Sequence, residues 1–185
     1  MNNLISEKLE AYIAAHSTPE SAHLAALNRE TYLKVLMPQM LSGHVQGKFL
    51  EFISRMIRPE RILEIGTFTG YSGICLAKGL RPGGKIITID MNEELTPMVE
   101  KYIALEKVEN LFDIRIGNAI EIIPKLNESF DLVFIDADKI NWKDSLFIDG
   151  EHLSATGAKA FTEYCFDQLD SLDLPPLESS LGSID

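Results

Sequence analysis

The chain has 185 residues and a mass of 20.7 kDa, which is enough for one domain with its own core, and 45% of its residues are hydrophobic. It carries 17 Lys and Arg against 28 Asp and Glu, a formal net charge of −11, so its acidic surface argues against a nucleic-acid partner. No apolar run is long enough to cross a bilayer, and Cys75 and Cys165 form no close pair. We therefore expect a cytoplasmic protein without a membrane partner.

The N-terminal residues 1–58 are predicted to be helical. Apolar residues at helical spacing indicate a first helix ending near Pro19, a second over Ser21–Leu36, and a third that ends before Pro59. The segment Ser42–Gly47 contains two glycines, and we expect it to be a break that precedes the third helix.

From Arg61 onward, predicted strands alternate with predicted helices. The strands are Ile62–Ile65, Lys85–Asp90, Phe112–Ile116 and Asp131–Ile135, and the helices include Ser72–Leu80 and one capped by Asn92. Strands separated by helical segments of this length are typical of an α/β fold with a parallel sheet and right-handed crossovers.

A glycine turn follows the first predicted strand, in the sequence LEIGTFTGYS at residues 63–72. Gly66 and Gly70 allow a tight turn and a close ligand, at the sheet edge where nucleotides bind in open α/β folds. The spacing G-x-x-x-G is neither a dinucleotide fingerprint nor a P-loop. Glu64, which we place inside the turn, would repel a pyrophosphate but accept from an ammonium group. The turn thus indicates a cationic, amino-acid-bearing nucleotide, or it is a plain strand-to-helix connection.

Two further acidic features lie at predicted strand ends. Asp90 closes the second strand, 24 residues after Gly66, where a carboxylate can accept from ribose hydroxyls; alternatively it only initiates the next helix. The sequence DADK after the fourth strand contains Asp136, suited to a hard cation such as Mg²⁺, and Lys139, a candidate general base. This string could also be a solvated charged loop.

Taken in order, SGHVQGKFL at residues 42–50, ILEIGTFTGYS, KIITID and DLVFIDADK resemble the cation-dependent class I S-adenosylmethionine O-methyltransferases, the group that includes caffeoyl-CoA and catechol O-methyltransferases. The resemblance covers about residues 30–142. It implies a Rossmann-like sheet of order 3-2-1-4 with N-terminal helices, a small hydroxyl-bearing acceptor, and a homodimer. It divides the chain into a methyltransferase domain at 1–142 and an atypical tail with one helix at 143–185. Within the domain, residues 1–58 form the N-terminal helices and residues 59–142 form the cofactor-binding α/β part.

The resemblance also implies roles for individual residues. Glu64, Gly66, Thr67 and Ser72 match the positions around the methionine and ribose part of S-adenosylmethionine, and Asp90 matches the acid on the ribose hydroxyls. Asn118 and Ala119 match the adenine-contacting pair, and Ser42 and Gly43 match the segment that closes over the cofactor. Asp136 matches a metal ligand near the sulfonium, and Lys139 matches the base that takes the proton of the acceptor hydroxyl.

The sequence after Trp142 departs from this family. It lacks the later Asp-Asn pair that supplies two further metal ligands, and the final strands have no counterpart. Instead, the stretch from Phe147 to Phe161, with Asp149 and His152, resembles the last Asp-x-x-His block of SGNH hydrolases, although that family's Gly-Asp-Ser block is missing. The leading hypothesis is an O-methyltransferase impaired by its C-terminus. The alternatives are a noncatalytic binder of S-adenosylmethionine or S-adenosylhomocysteine and, third, a serine esterase.

Overall fold

The computed structural model of the protein describes residues 7–136. In chain order the helices and strands are α1 (Glu7–His16), α2 (Ala22–Lys34), α3 (Gly43–Ile57), β1 (Arg61–Ile65), α4 (Tyr71–Ala77), β2 (Lys85–Asp90), α5 (Thr96–Leu105), β3 (Phe112–Ile116), α6 (Ala119–Ile122) and β4 (Leu132–Ile135). Short 3₁₀ helices occupy Pro38–Met40, Glu93–Leu95, Glu109–Leu111 and Ile123–Lys125. None of the helices within residues 7–136 combines the length and the apolar character needed to span a membrane.

The four strands form one parallel sheet in the order β3-β2-β1-β4, which confirms the predicted α/β class and strand order. β1 lies between β2 and β4, and its residue Glu64 is in register with Thr88 of β2 and Phe134 of β4. Because partners in register point to the same face of a parallel sheet, Glu64 and Thr88 are neighbours on one face.

Apolar side chains cover both faces of this sheet, as expected for parallel strands. On the face of Ile62 and Ile86, helices α2 to α5 contribute the buried residues Leu24, Leu27, Leu50, Tyr71, Ile74, Cys75, Leu76, Ala77, Val99, Tyr102 and Ile103. On the opposite face, Leu63, Ile87 and Ile89 pack against Ala119, Ile122, Ile123, Leu126 and Phe130. Glu64, at an even position of β1 like Ile62, therefore faces the larger, helical layer.

The expected break at residues 42–47 is wrong, because α3 begins at Gly43 and continues through this segment. Gly43 has a positive φ of +71°, which suits its place at the helix start. Gly47 instead serves packing, since a Cβ there would lie 2.5 Å from Cε1 of Tyr71 and 2.9 Å from Sγ of Cys75. Sequence alone could not separate a glycine that breaks a helix from one that lets two helices approach.

Two other helix boundaries differ from the prediction. α4 ends at Ala77 rather than Leu80, and Gly79 beyond it approaches α3 so closely that a Cβ would lie 2.2 Å from the Ser54 carbonyl carbon. Asn92 caps the 3₁₀ turn Glu93–Leu95 through a hydrogen bond from the Glu94 N–H, and α5 proper starts only at Thr96.

Several predictions fall outside the described residues. They concern Lys139, the tail 143–185 with its expected helix, and the SGNH-like block with Asp149 and His152. The division into a 1–142 domain and a 143–185 tail likewise stays a prediction.

Candidate active site

The turn between β1 and α4 has an unusual backbone at the carboxyl edge of the sheet. Gly66, Phe68 and Gly70 all have positive φ angles, of 103°, 47° and 87°. Two of these are glycines, which adopt such angles without strain, whereas Phe68 needs outside support to hold this conformation. The Gly66 N–H donates to the Ile89 carbonyl at 2.9 Å and the Gly70 N–H to the Thr67 carbonyl at 2.8 Å, so the turn is fastened both to β2 and to itself.

Asp90, the last residue of β2, supplies that support. Its Oδ2 accepts from the Phe68 N–H at 2.7 Å, and its Oδ1 accepts from the Asn92 N–H at 2.9 Å. The side chain is half-buried, and each carboxylate oxygen keeps a further lone pair for a ligand hydroxyl. The structure thus puts the predicted ribose-binding acid directly against the glycine turn.

Glu64 lies inside β1, in agreement with the predicted strand Ile62–Ile65, and its predicted place inside the turn is wrong; the side chain is fully buried. Its Oε1 accepts from the Ser72 hydroxyl at 2.6 Å and its Oε2 from the Thr88 hydroxyl at 2.6 Å. The hydroxyl oxygens of Thr88 and Thr67 lie a further 2.6 Å apart. Hydroxyl groups from α4 and β2 therefore donate to one buried carboxyl group, and a third hydroxyl group, from the glycine turn, lies against that of Thr88.

Burial is the main reason why the pKa of Glu64 rises from 4.5 to about 7. The hydrogen bonds from Ser72 and Thr88 lower this pKa, while the negative charges of Asp136 and Asp90 raise it. Glu64 faces hydroxyl donors and two carboxylates, so a cation arriving in the crevice would favour its ionised form.

The N-terminal helices pack beside this turn. Gly47 brings the first turns of α3, which begin with Ser42 as cap and Gly43, against Tyr71 at the start of α4. The hydroxyl oxygens of Thr31 in α2 and Thr69 in the glycine turn are 3.2 Å apart, and both side chains are fully buried.

The predicted adenine-contacting pair lies after β3. Asn118 caps α6, because its Oδ1 accepts from the Ile120 N–H at 3.0 Å, and its amide NH₂ keeps its donor capacity. Ala119 is the first residue of that helix. Gly117, with φ of +140°, donates its N–H to the Asp90 carbonyl at 2.8 Å, which brings this segment beside the end of β2.

Asp136 follows β4, and its N–H donates to the Ile65 carbonyl at 2.8 Å, so its backbone adjoins the start of the glycine turn. Within residues 7–136, no group of three or more His, Cys, Asp and Glu side chains could hold a metal ion. The described residues therefore do not form a metal site by themselves, and the role of Asp136 as a metal ligand stays a prediction.

Sequence reasoning missed two residues beside the predicted ones. Thr88 is fully buried and bonded to Glu64, but a threonine inside a β-rich run gives no functional signal because threonine favours strands in any case. Met91, directly after Asp90, is 75% exposed and offers an apolar surface beside that carboxylate. A methionine directly after the acid that closes β2 could have been noted from the sequence, whereas its exposure could not.

The groups at this edge of the sheet define what it can bind. Asp90 and Asp136 are carboxylates and Glu64 is a third acid behind them, so the electrostatics disfavour a phosphate chain and favour a cation. Asp90 can accept from neutral hydroxyls, Asn118 can donate from its amide, and the backbone of Gly66 permits close approach. This set fits a nucleoside that carries a positive charge.

Comparison with known proteins gives a consistent result. The sequence profile of the O-methyltransferase family matches residues 14–147. The catechol O-methyltransferase of Niastella koreensis is 36% identical over 144 residues, covering 75% of this chain and 64% of that protein. That of Mycobacterium tuberculosis is 36% identical over 106 residues, covering 57% of this chain and 48% of that protein.

Solved structures agree in fold. An O-methyltransferase of Streptomyces achromogenes involved in tomaymycin synthesis, in complex with SAM, has a TM-score of 0.67 and 32% identity over 71% of this chain and 60% of that one. A Bacillus cereus O-methyltransferase in complex with SAH has a TM-score of 0.67 and 31% identity, with coverages of 72% and 62%. The chain thus spans less than two thirds of the length of each of these four relatives. On the profile match and this similarity, the chain belongs to the O-methyltransferase family.

Proposed function

We propose that this protein is an S-adenosylmethionine-dependent O-methyltransferase that acts on a hydroxyl group of a small catechol-like or aromatic acceptor. One observation carries the proposal most directly. Asp90 accepts from the N–H of Phe68, which has a positive φ, and at the carboxyl end of β2 its carboxylate can also accept from ligand hydroxyls. The relatives with bound SAM and SAH, and those named catechol O-methyltransferase, support the ligand and the acceptor class.

In this proposal different residues bind different parts of the cofactor. Asp90 accepts from the ribose hydroxyls, Asn118 and Ala119 contact the adenine, and the exposed Met91 provides an apolar surface for that ring. The methionine part lies by Gly66, Thr67 and Ser72, with Glu64 behind them, and Ser42 and Gly43 close over it.

The chemistry needs an electrophile and a base. When bound, S-adenosylmethionine supplies a methyl group on a positively charged sulfur. The acidic edge formed by Asp90 and Asp136 favours that charge. Lys139, which lies outside the described residues, takes the proton of the acceptor hydroxyl, and for this its amine must be neutral when the acceptor binds.

A divalent cation such as Mg²⁺, held in part by Asp136, belongs to the proposal on the strength of the sequence resemblance. The carboxylate oxygens of an aspartate suit such an ion, but residues 7–136 offer no set of three ligands. Methyl transfer measured with and without added Mg²⁺ tests whether the cation contributes.

We further propose a cytoplasmic homodimer. Phe49, Phe52 and Met56 form an exposed apolar row at helical spacing on α3, with exposed fractions of 61%, 58% and 69%. Light scattering that gives twice the 20.7 kDa of the chain would support the dimer. A buried, unpaired Cys75, whose pKa is raised to about 12 by burial, suits a reducing compartment.

The first experiment is calorimetric titration of S-adenosylhomocysteine into the full chain and into Asp90→Ala. We expect saturable binding to the wild type and at least about tenfold weaker binding to the variant, because charge-assisted hydrogen bonds are lost. Thermal unfolding of both proteins serves as the folding control. A folded wild-type protein that does not bind would contradict the proposal.

Catalysis is tested separately from binding. The sequence lacks the Asp-Asn pair expected after DADK, so a noncatalytic binder is the outcome against which catalysis is tested, although the family and the relatives do not favour it. Methyl transfer from S-adenosylmethionine to a catechol, measured with Mg²⁺ and with a chelator, separates the two functions. Binding of S-adenosylhomocysteine without any methyl transfer under either condition would favour the noncatalytic binder.

A further inference from the structure

The glycine turn between β1 and α4 is supported from α2 as well as from β2. Thr31, near the end of α2, has its hydroxyl oxygen 3.2 Å from that of Thr69, which follows Phe68 in the turn. Neither threonine side chain has any exposed surface, so solvent water does not replace either partner. The contact gives the turn a support that comes from outside the strand and the helix that it connects.

The direction of this hydrogen bond follows from counting hydrogens. The Thr31 hydroxyl has a single hydrogen, and its oxygen also lies 2.9 Å from the Leu27 carbonyl oxygen, one helical turn earlier. A carbonyl only accepts, so Thr31 donates to Leu27 and accepts from Thr69. Thr31 is therefore the acceptor for a buried hydroxyl group of the turn. This assignment does not depend on the protonation state of any acid.

α2 is itself fixed beside the turn. Glu30, the neighbour of Thr31, accepts from the Tyr102 hydroxyl at 2.7 Å and from Lys101 at 2.5 Å, both in α5. Hydrogen bonds to Glu30, first of all the one from Lys101, lower its pKa from 4.5 to about 2, so this link between the helices is ionised at neutral pH. Thr31 therefore presents its oxygen at a fixed place.

The residue that this support holds in place is Phe68. Its φ of +47° is a conformation that a non-glycine residue adopts at a cost. Its N–H donates to Asp90, and the side chain of the next residue, Thr69, donates to Thr31. In the proposed function Asp90 is also the carboxylate that accepts from the ribose hydroxyls. A turn that loses Thr31 therefore disturbs the carboxylate that the ligand needs.

We propose that Thr31 is a positioning residue for cofactor binding: through Thr69 it holds the glycine turn in the conformation in which the Phe68 N–H meets Asp90. The inference rests on the proposed function, since it assumes that Asp90 binds the ribose of S-adenosylmethionine or its product. It gives a role in the site to a residue of α2 that lies outside the sequence motifs of the site.

The test is calorimetric titration of S-adenosylhomocysteine into the full chain and into Thr31→Val, which keeps the shape of the side chain and removes the hydroxyl. We expect the variant to bind about fivefold more weakly, the ordinary net effect of one hydrogen bond. Thr31→Ser keeps the hydroxyl and should restore most of the affinity. A folded Thr31→Ser variant as weak as Thr31→Val would overturn the inference.

Ser54→Ala is the matched control. Ser54 in α3 is as buried as Thr31, and its hydroxyl donates to the Leu76 carbonyl at 2.6 Å, near the end of α4 that lies away from the glycine turn. Both variants should lower the thermal stability, whereas only Thr31→Val should weaken binding. An equal loss of affinity in the two variants would mean that Thr31 has a purely structural role.

A double-mutant cycle tests the connection to Asp90. If Thr31 acts on this carboxylate through the turn, Thr31→Val should weaken S-adenosylhomocysteine binding less in an Asp90→Ala background than in the wild type, because the effects of coupled residues do not add. Fully additive effects would contradict the route through Phe68.

Should Thr31→Val fail to fold, Thr69→Val removes the donor instead and leaves Thr31 bonded to Leu27. No buried hydroxyl then loses its acceptor, and the same selective loss of affinity should appear at smaller size. Folded variants that bind as tightly as the wild type would overturn the inference and leave the proposed function intact. If the folded wild type does not bind S-adenosylhomocysteine, the proposed function fails, and the inference fails with it.

Discussion

The two ends of the parallel sheet hold their acids in opposite ways. At the carboxyl end, Glu64 is fully buried, its donors are hydroxyl groups only, and its pKa is raised to about 7 by burial. At the amino end, Asp131 is 44% exposed, and backbone N–H groups lower its pKa. Its Oδ2 accepts from the N–H groups of Glu60 at 2.7 Å and Arg61 at 3.0 Å.

The two ends of the sheet also differ in whether cationic side chains lie beside their acids. Arg81 lies 3.8 Å from the Asp131 carboxylate and 3.2 Å from that of Glu60, and Arg61 lies 3.2 Å from Glu128. Within residues 7–136 no cation forms an ion pair with Glu64, and the charged groups that act on it are the acids Asp136 and Asp90. Within the described residues, the acids at the amino end therefore have arginine partners, whereas the charged groups that act on Glu64 at the carboxyl end are carboxylates.

Because the pKa values of these two acids shift in opposite directions, their ionisation has opposite effects on stability. An acid that accepts backbone N–H groups at the entry of a strand helps folding when ionised. An acid whose pKa is raised by burial, as that of Glu64 is, opposes folding when ionised.

The largest expected effect is that of Glu64→Gln on stability above neutral pH. The folded pKa of Glu64, about 7, exceeds the ordinary value of 4.5, so between these values the folded state holds a proton that the unfolded state has lost. The free energy of unfolding therefore falls as the pH rises through this window, by about 3 kcal/mol for this one group. Chemical denaturation from acid to alkaline pH should show this slope in the wild type and its loss in Glu64→Gln. An identical slope in both proteins would contradict the assignment.

A smaller effect is expected from a matched pair of glycine substitutions. Gly70→Ala adds a Cβ at φ +87°, 3.1 Å from Cγ1 of Val99, whereas Gly83→Ala adds one at φ +83° in open space at the amino end. We expect Gly70→Ala to lower the free energy of unfolding by about 2 kcal/mol, from strain plus overpacking, and Gly83→Ala by about 1 kcal/mol, from strain alone. Thermal denaturation of both variants measures the difference, and equal losses would show that the Val99 contact adds nothing.

The smallest effect is that of Asp131→Asn. Because the pKa of Asp131 is lowered in the folded protein, its contribution is present above the ordinary value of 3.8 and disappears as the pH falls through the lowered value. The side chain is largely exposed, so we expect a loss of only about 0.5–1 kcal/mol at neutral pH. The difference between wild type and variant should vanish in acid. At higher pH its sign should be opposite to that for Glu64→Gln, because ionised Asp131 stabilises the fold and ionised Glu64 destabilises it. A loss that persists unchanged in acid would exclude this electrostatic origin.

Much of the fold could be predicted from local patterns. The four strands, their parallel order and the glycine turn follow from β-branched runs, turn residues and the family resemblance, and the structure confirms them. The boundaries of α3 and α4 could not be predicted, since Gly47 and Gly79 owe their places to close approaches to Tyr71 and Ser54. Such contacts join residues far apart in the sequence.

The candidate site also has features that the sequence predicts and features that it does not. The sequence determined which chemical groups stand at the strand ends, because Asp90 and Asp136 follow β-rich runs and the carboxyl ends of parallel strands share one edge. Only the tertiary structure decided that Glu64 is fully buried and that the Thr88 hydroxyl donates to it. The reason is physical: the register between β1 and β2 pairs these two residues, and helix α4 closes over them, so a carboxyl group that looks like part of a turn becomes a buried acid.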